Sequence, residues 1–213
     1  MACKTRPDIA FAVNYCSRFV ENPSAHNIND VKNLLRYTGT VDLGICYWSD
    51  NDEDYALNAY SDSDYAGSGT EGKMKSTSGH VIMLANGPIT WGSHKQGVVA
   101  TSTTEAEYIA AAECVKEVQY LKSLLAEITN KNHKATLHVD NQSSIKLIKS
   151  GQMNRRSKHI DVRYHFISEA LDCGVFSIKY CPTGEQLADV LTKPLKKEKF
   201  QIFKNIICKT ITQ

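Results

Sequence analysis

The stretch "AYSDSDYAG", residues 59–67, decides how the chain is read. It has the alternation of a β-strand and ends in a polar turn, and it places Asp62 and Asp64 two positions apart. Strand residues two apart share a face, so two like charges sit side by side on a conformation that Asp disfavours. A strand that simply frays into "DYAGSG" would account for this. A site that needs paired carboxylates would account for it too, and the surrounding sequence has to separate the two.

Following this stretch, "KMKSTSGHVIMLANGPITW" holds an Asn86-Gly87 pair between two strand-like runs, a strong hairpin signal. A long helix is expected over about 103–128, then a strand at "ATLHVD" and a short helix at "QSSIKLIKSG" that Gly151 stops. After the basic stretch "NRRSKHIDVRYHF" come the helix "ISEALDCG" and the strand "VFSIKYC". A final helix is expected to open on a Thr183–Gln186 capping box and to close at Pro194. A meander followed by crossovers predicts an α/β fold, a mixed five-stranded sheet flanked by helices. Ahead of it, residues 1–54 read as a helical hairpin with Pro7 at one helix start and Ser24 as an N-cap, followed by a short strand at "GICYW". The expected division is a helical segment at 1–54, an α/β domain at 55–195 and a C-terminal tail at 196–213.

Composition is that of an ordinary globular protein: 213 residues, 42% hydrophobic and 23% charged, with a net charge of +2. No apolar run approaches the ~20 residues of a membrane span, and the N-terminus lacks the apolar core of a secretory signal. An intracellular protein, cytoplasmic or nuclear, is the expectation. Seven scattered cysteines without a C-x-x-C pair point to reduced thiols rather than disulfides or zinc.

Four acids stand out. In the long helix, steps from Glu107 reach Ala111, Cys114, Val118, Leu121 and Leu125, so Glu107 heads the apolar face while Glu105 is expected on the wet side. Asp140 ends a strand directly before a helix, where α/β folds place their sites, although an N-capping Asp would look the same. Asp189 is expected more than a turn inside the last helix, too deep to be a cap. With Asp62 these acids come from two strand ends and two helices. If they converge they need cations, and two Mg²⁺ ions held by oxygen ligands would suit phosphoryl transfer.

The blocks "YSDSDYAG", "KSTSGHVIML", "ITWGSHKQ", "STTEAEYIAAAE", "HVDNQSSIKL", "KHIDVRYHFI" and "EQLADVLTKPL", in this order, resemble the ribonuclease H region of copia-type retrotransposon Pol polyproteins. "TRPDIAFAVNYCSRF" and "VKNLLRYTGT" resemble the segment that links the polymerase to it. The resemblance covers roughly residues 5–203. It implies a ribonuclease H-like fold and an endonuclease that hydrolyses the RNA strand of RNA–DNA hybrids by two-metal-ion cleavage during reverse transcription. The implied metal-binding acids are Asp62, Glu107, Asp140 and Asp189, with two Mg²⁺ ions for which Mn²⁺ substitutes. Asp64 falls where a small polar residue is common.

The same resemblance implies that Thr103, Thr104, Asn141 and Gln142 contact the hybrid in its minor groove, where 2′-hydroxyls and backbone shape are read. Arg156 and Lys158, with Lys146, Lys149, Arg155 and Arg163, would meet phosphates, although a solvated basic face would look the same. The implied partners are the hybrid and the reverse-transcriptase polymerase region, which has no counterpart here. "YCPTGEQLAD" departs from cellular ribonucleases H, which carry a glycine-rich loop and a histidine before the last acid, and slower turnover follows from that. The alternative is a catalytically inactive or host-adapted nucleic-acid-binding remnant. An integrase of similar fold fits less well, because the helix glutamate comes between the first two aspartates.

Overall fold

The computed structural model describes residues 1–39, 42–49, 55–67, 74–151 and 158–210. Chain order is a 3-10 turn at Pro7–Ile9, α1 (Ala10–Ser17), α2 (Ala25–Thr38), β1 (Leu43–Gly44), β2 (Leu57–Asp64), β3 (Thr77–Leu84) and β4 (Gly87–Lys95). Then follow α3 (Thr103–Thr129), β5 (Ala135–Val139), α4 (Gln142–Ser150), α5 (Lys158–Asp172), β6 (Ser177–Tyr180), a 3-10 helix at Leu187–Leu191, α6 (Lys197–Ile207) and β7 (Lys209–Thr210).

The main sheet has the strand order β4-β3-β2-β5-β6. β2, β3 and β4 pair antiparallel, whereas β5 lies parallel to both β2 and β6. This is the mixed five-stranded sheet expected from the sequence. The β3–β4 hairpin turns on Ala85 and Asn86, both left-handed at φ 47° and 57°, the backbone that a two-residue turn of this kind requires.

Alternation along β3 splits the interior into two cores. Ile82 faces one core with Leu57, Ala59, Leu137 and Val139, covered by α3 through Tyr108, Ala111, Cys114, Val115 and Val118. Val81 and Met83 face the opposite side, against Val190, Leu191, Phe203 and Ile207. The apolar stripe of α3 is therefore the one its sequence predicts. Ser102 caps that helix by accepting a bond from the Glu105 amide at 3.1 Å.

Near the N-terminus, Ser24 caps α2 in a reciprocal box with Asn27. No residue of α2 is fully buried, and Ile28, Val31 and Leu35 are exposed. Tyr37, at its far end, donates to Asp8 at 2.7 Å, beside the Arg6–Asp8 ion pair.

Two expectations need correcting. "GICYW" is not a strand of its own: only its Gly44 belongs to β1, which is two residues long and pairs with β7, while the Trp48 amide donates to the carbonyl of Ala85. Within the expected tail, residues 197–210 carry α6 and β7, and Phe203 and Ile207, four apart, bury against the second core. Finally, the segment after Thr183 is a short 3-10 helix in place of a longer α-helix. Its start is capped by Gln186, whose side chain accepts from the Ala188 amide, and Thr183 is engaged elsewhere.

Candidate active site

Asp62 and Asp140 reach the same end of the sheet because β2 and β5 are adjacent and parallel, with Tyr60 opposite His138 and their rings stacked at 4.5 Å. Glu107 comes to them from the first turns of α3, which crosses β2 and β3. Carboxylate oxygens of Asp62, Glu107 and Asp140 all lie within 4.8 Å of one another. Three of the four acids expected from the sequence are thus brought together.

Each is held by a neighbour. Glu107 Oε1 accepts from the Ser63 amide at 3.2 Å and from its hydroxyl at 3.1 Å. Its other oxygen, Oε2, is buried and without a hydrogen-bond partner. Asp140 accepts from the Thr183 hydroxyl at 2.9 Å. Asp62 Oδ2 accepts from the Thr192 hydroxyl and lies 3.4 Å from Lys193 Nζ.

Asp189 is fully buried, and its surroundings are different. Oδ1 is ion-paired with Lys193 at 2.6 Å, and Oδ2 with Lys199 at 2.5 Å. Lys199 also donates to the carbonyl of Thr183 at 3.0 Å and lies over the Phe203 ring. Asp189 is accordingly neither a cap nor a surface acid. It stands beside the three converging carboxylates, with both its oxygens already matched by ammonium groups.

The electrostatics follow from crowding and burial. Burial pushes the Glu107 carboxyl well above its ordinary value, and Asp62 and Asp140 add to this against the Ser63 bonds. Burial raises Asp62 as well, with Asp189 and Asp140 adding to it and Lys193 and Thr192 opposing. Burial works against the charge on Lys193, but Asp62 and Asp189 outweigh it and hold that ammonium above the usual lysine value.

Such a site strains toward a cation. Three hard oxygen donors within 4.8 Å, one with a buried and unsatisfied oxygen, fit a divalent ion such as Mg²⁺.

Glu105 corrects the expectation from helical steps. It is buried, not wet, because its carboxylate turns back on the preceding loop and accepts from the Thr101 amide at 2.6 Å and from the Thr101 hydroxyl. Asp64 is half-buried outside the cluster, its carboxyl raised by burial, with Lys193 and Arg18 opposing.

Among the residues expected to meet substrate, Thr103 and Gln142 are exposed, and Thr104 and Asn141 half-buried. The Asn141 side-chain oxygen is already used, accepting from the Ser144 amide at 2.9 Å to cap α4, which leaves its NH₂ group. Lys146 and Lys149 are exposed on α4. Arg156 and the Lys158 side chain lie outside the described residues.

Ser63, Thr183, Gln186, Thr192, Lys193 and Lys199 were not singled out by sequence reasoning for this site. For Lys193 a signal existed, since it follows Asp189 by four residues and can fold back on it. The others act through tertiary contacts that no local pattern announces.

No family model matches the chain. It is 41% identical over 208 residues, 97% of its length, to the retrovirus-related Pol polyprotein from transposon TNT 1-94 of Nicotiana tabacum, and it spans 15% of that protein. To the retrovirus-related Pol polyprotein from transposon RE2 of Arabidopsis thaliana it is 39% identical over 201 residues, 93% of its length and 14% of the relative's. Among solved structures it is similar to LC11-RNase H1, isolated from compost, with a TM-score of 0.49 and 13% identity over 65% of this chain and 93% of that one. The chain belongs to the copia-type retrovirus-related transposon Pol polyproteins, and corresponds to one segment of them.

Proposed function

We propose that this chain is a ribonuclease H, an endonuclease that hydrolyses the RNA strand of RNA–DNA hybrids during retrotransposon reverse transcription. The observation that carries this reading is the convergence of Asp62, Glu107 and Asp140, with the buried Glu107 Oε2 left unsatisfied, in a chain related to transposon Pol polyproteins. Asp62, Glu107 and Asp140 would hold the metal, with Asp189 beside them. Bound there, a pair of divalent ions would activate a water and stabilise the leaving oxygen of an in-line displacement.

The chain's own groups prepare that chemistry. Ser63 fixes one oxygen of Glu107, leaving the other buried and without a hydrogen-bond partner. Thr183 steers Asp140, and Thr192 steers Asp62. Bonds of this kind remove rotamer freedom from ligands before substrate arrives, the usual requirement for a precise site.

Thr103 and Thr104 at the start of α3, and Gln142 with the Asn141 NH₂ group at the start of α4, flank the acids. These hydroxyls and amides suit 2′-hydroxyl groups and sugar oxygens, which favours a hybrid read by shape over one read by sequence. Lys146 and Lys149 supply positive charge along α4 for the phosphates. The partners implied are an RNA–DNA hybrid and the polymerase region of the same polyprotein. Among the described residues no helix is long and apolar enough to cross a membrane.

The test compares hybrid binding with hybrid cleavage in Mg²⁺ and in EDTA. A ribonuclease H cuts in Mg²⁺ and only binds in EDTA. Equal binding in both, with no cutting in either, would establish a nucleic-acid-binding remnant instead.

A further inference from the structure

The four acids do not form one uniform group. Three share a space within 4.8 Å, while Asp189 is separated from Asp62 by an ammonium. Lys193 Nζ lies 2.6 Å from Asp189 Oδ1 and 3.4 Å from Asp62 Oδ2, so a positive charge already bridges the two carboxylates.

That bridge is built rather than incidental. Thr192, the preceding residue, donates to Asp62, so the backbone is fixed against the site immediately before Lys193. Pro194 follows and restricts the Lys193 backbone to extended conformations. Lys193 is about one-third exposed at its side chain, whereas both of its partners are buried. Lys199 has a different role, since its bond to Thr183 and its place over Phe203 anchor it on α6 beside Asp189.

We propose that Lys193 is a built-in counter-cation, occupying the position between Asp62 and Asp189 so that the free chain takes up one divalent ion, at Asp62, Glu107 and Asp140. Asp62 and Asp189 would be open to a second divalent ion only after the Lys193 ammonium leaves them. The groups best suited to draw it away are the phosphates of a bound nucleic acid, which offer it an equivalent anionic partner. Lys193 then couples occupation of the second cation position to the presence of substrate. It is a positioning residue in this scheme, and the inference rests on the reading of the acids as a metal site.

The test counts bound Mn²⁺ on the full chain without nucleic acid, by the loss of the free-ion electron paramagnetic resonance signal. Wild type is expected to bind one ion, Lys193→Met two, and Lys193→Arg one, because Arg keeps the charge. Two ions bound by the wild type overturn the inference while leaving the metal site intact, and this arm needs no variant to fold. A folded Lys193→Met that binds one ion also overturns it. No Mn²⁺ bound by any form overturns the metal site itself, and with it the ribonuclease H reading.

Discussion

Gln186 donates through Nε2 to the main-chain carbonyl of Ser61 at 3.0 Å, with the residue fully buried. The same nitrogen reaches the carbonyl of His138 at 3.4 Å, and Oε1 accepts from the Ala188 amide at 3.3 Å. One amide thereby ties together the backbone beside Asp62, the strand leading to Asp140 and the turn carrying Asp189.

Replacing Gln186 by Leu strands these buried groups. The loss of stability is expected to be about 2–4 kcal/mol, from roughly 1–3 kcal/mol for each group left unsatisfied, after partial relaxation. Urea unfolding measures it. At temperatures where the variant is still folded, Mn²⁺ affinity is also expected to fall, because the carboxylates lose their shared frame. A variant with unchanged stability and affinity would show that the amide holds nothing.

Gly79 faces Asp62 across the β2–β3 pair and has the Leu187–Leu191 turn directly above it. A Cβ there would lie 2.6 Å from Thr192 Cγ2, 2.9 Å from Leu191 Cβ and 3.1 Å from the carbonyl of Ala188. Gly79→Ala is therefore expected to push the turn off the sheet at a cost of about 1–3 kcal/mol. The Thr192 bond to Asp62 lies in the path of that shift, so metal affinity should decline with stability. Thermal unfolding with and without Mn²⁺ checks both.

Glu107→Gln separates stability from function. The buried carboxyl is disfavoured in its charged form by burial and by Asp62 and Asp140. A neutral amide removes that repulsion, so the metal-free variant should unfold at a higher temperature than wild type in EDTA. Its Mn²⁺ affinity should fall by more than about tenfold, because a ligand oxygen is lost. Calorimetric scans in EDTA and in Mn²⁺ would show the two changes with opposite sign.

Two histidines give opposite pH dependences. Burial depresses the His80 imidazole to about 4, with His94 adding to the effect against Glu113. A depressed base contributes stability present above the ordinary value of 6.5 and lost as pH falls through about 4. At about 1.4 kcal/mol per tenfold change, the loss is at most about 3.5 kcal/mol. The bond from His94 to Glu113, 2.8 Å, holds His94 above 6.5 despite burial, so its contribution is present below 6.5 and lost as pH rises through the raised value. His94 is partly exposed, so its share is the smaller. Proton resonance titration should find His80 titrating near 4, and His80→Phe should flatten the acid side of the stability curve. An acid side of unchanged slope in that variant would assign the effect to other groups.

How much the sequence disclosed follows from the range of each interaction. The β3–β4 hairpin, the Ser24 cap and the α3 stripe are local and are found where the residues indicate, although the turn falls on Ala85 and Asn86, one residue before the expected Asn86-Gly87 pair. Parallel pairing of β2 with β5 follows from the crossover through α3, which brings Asp62 and Asp140 together. Helical periodicity picks out Glu107, but it misplaces Glu105, whose burial depends on a bond back to Thr101. The expected helix after Thr183 gives way to a 3-10 turn because Thr183 and Gln186 serve Asp140 and distant carbonyls instead of capping each other. Of the two lysines on Asp189, Lys193 is signalled by its four-residue spacing, whereas Lys199 reaches it from α6 through a tertiary contact that no local pattern announces.

The most direct measurement of the central claim is single-turnover cleavage of an RNA–DNA hybrid labelled on either strand, comparing wild type with Asp140→Asn. Duplex RNA and duplex DNA serve as parallel substrates. The account predicts Mg²⁺-dependent cutting of the RNA strand of the hybrid alone, abolished in Asp140→Asn, which stays folded because Asp140 is only half-buried. A folded, hybrid-binding wild-type chain that leaves the RNA strand whole would contradict it.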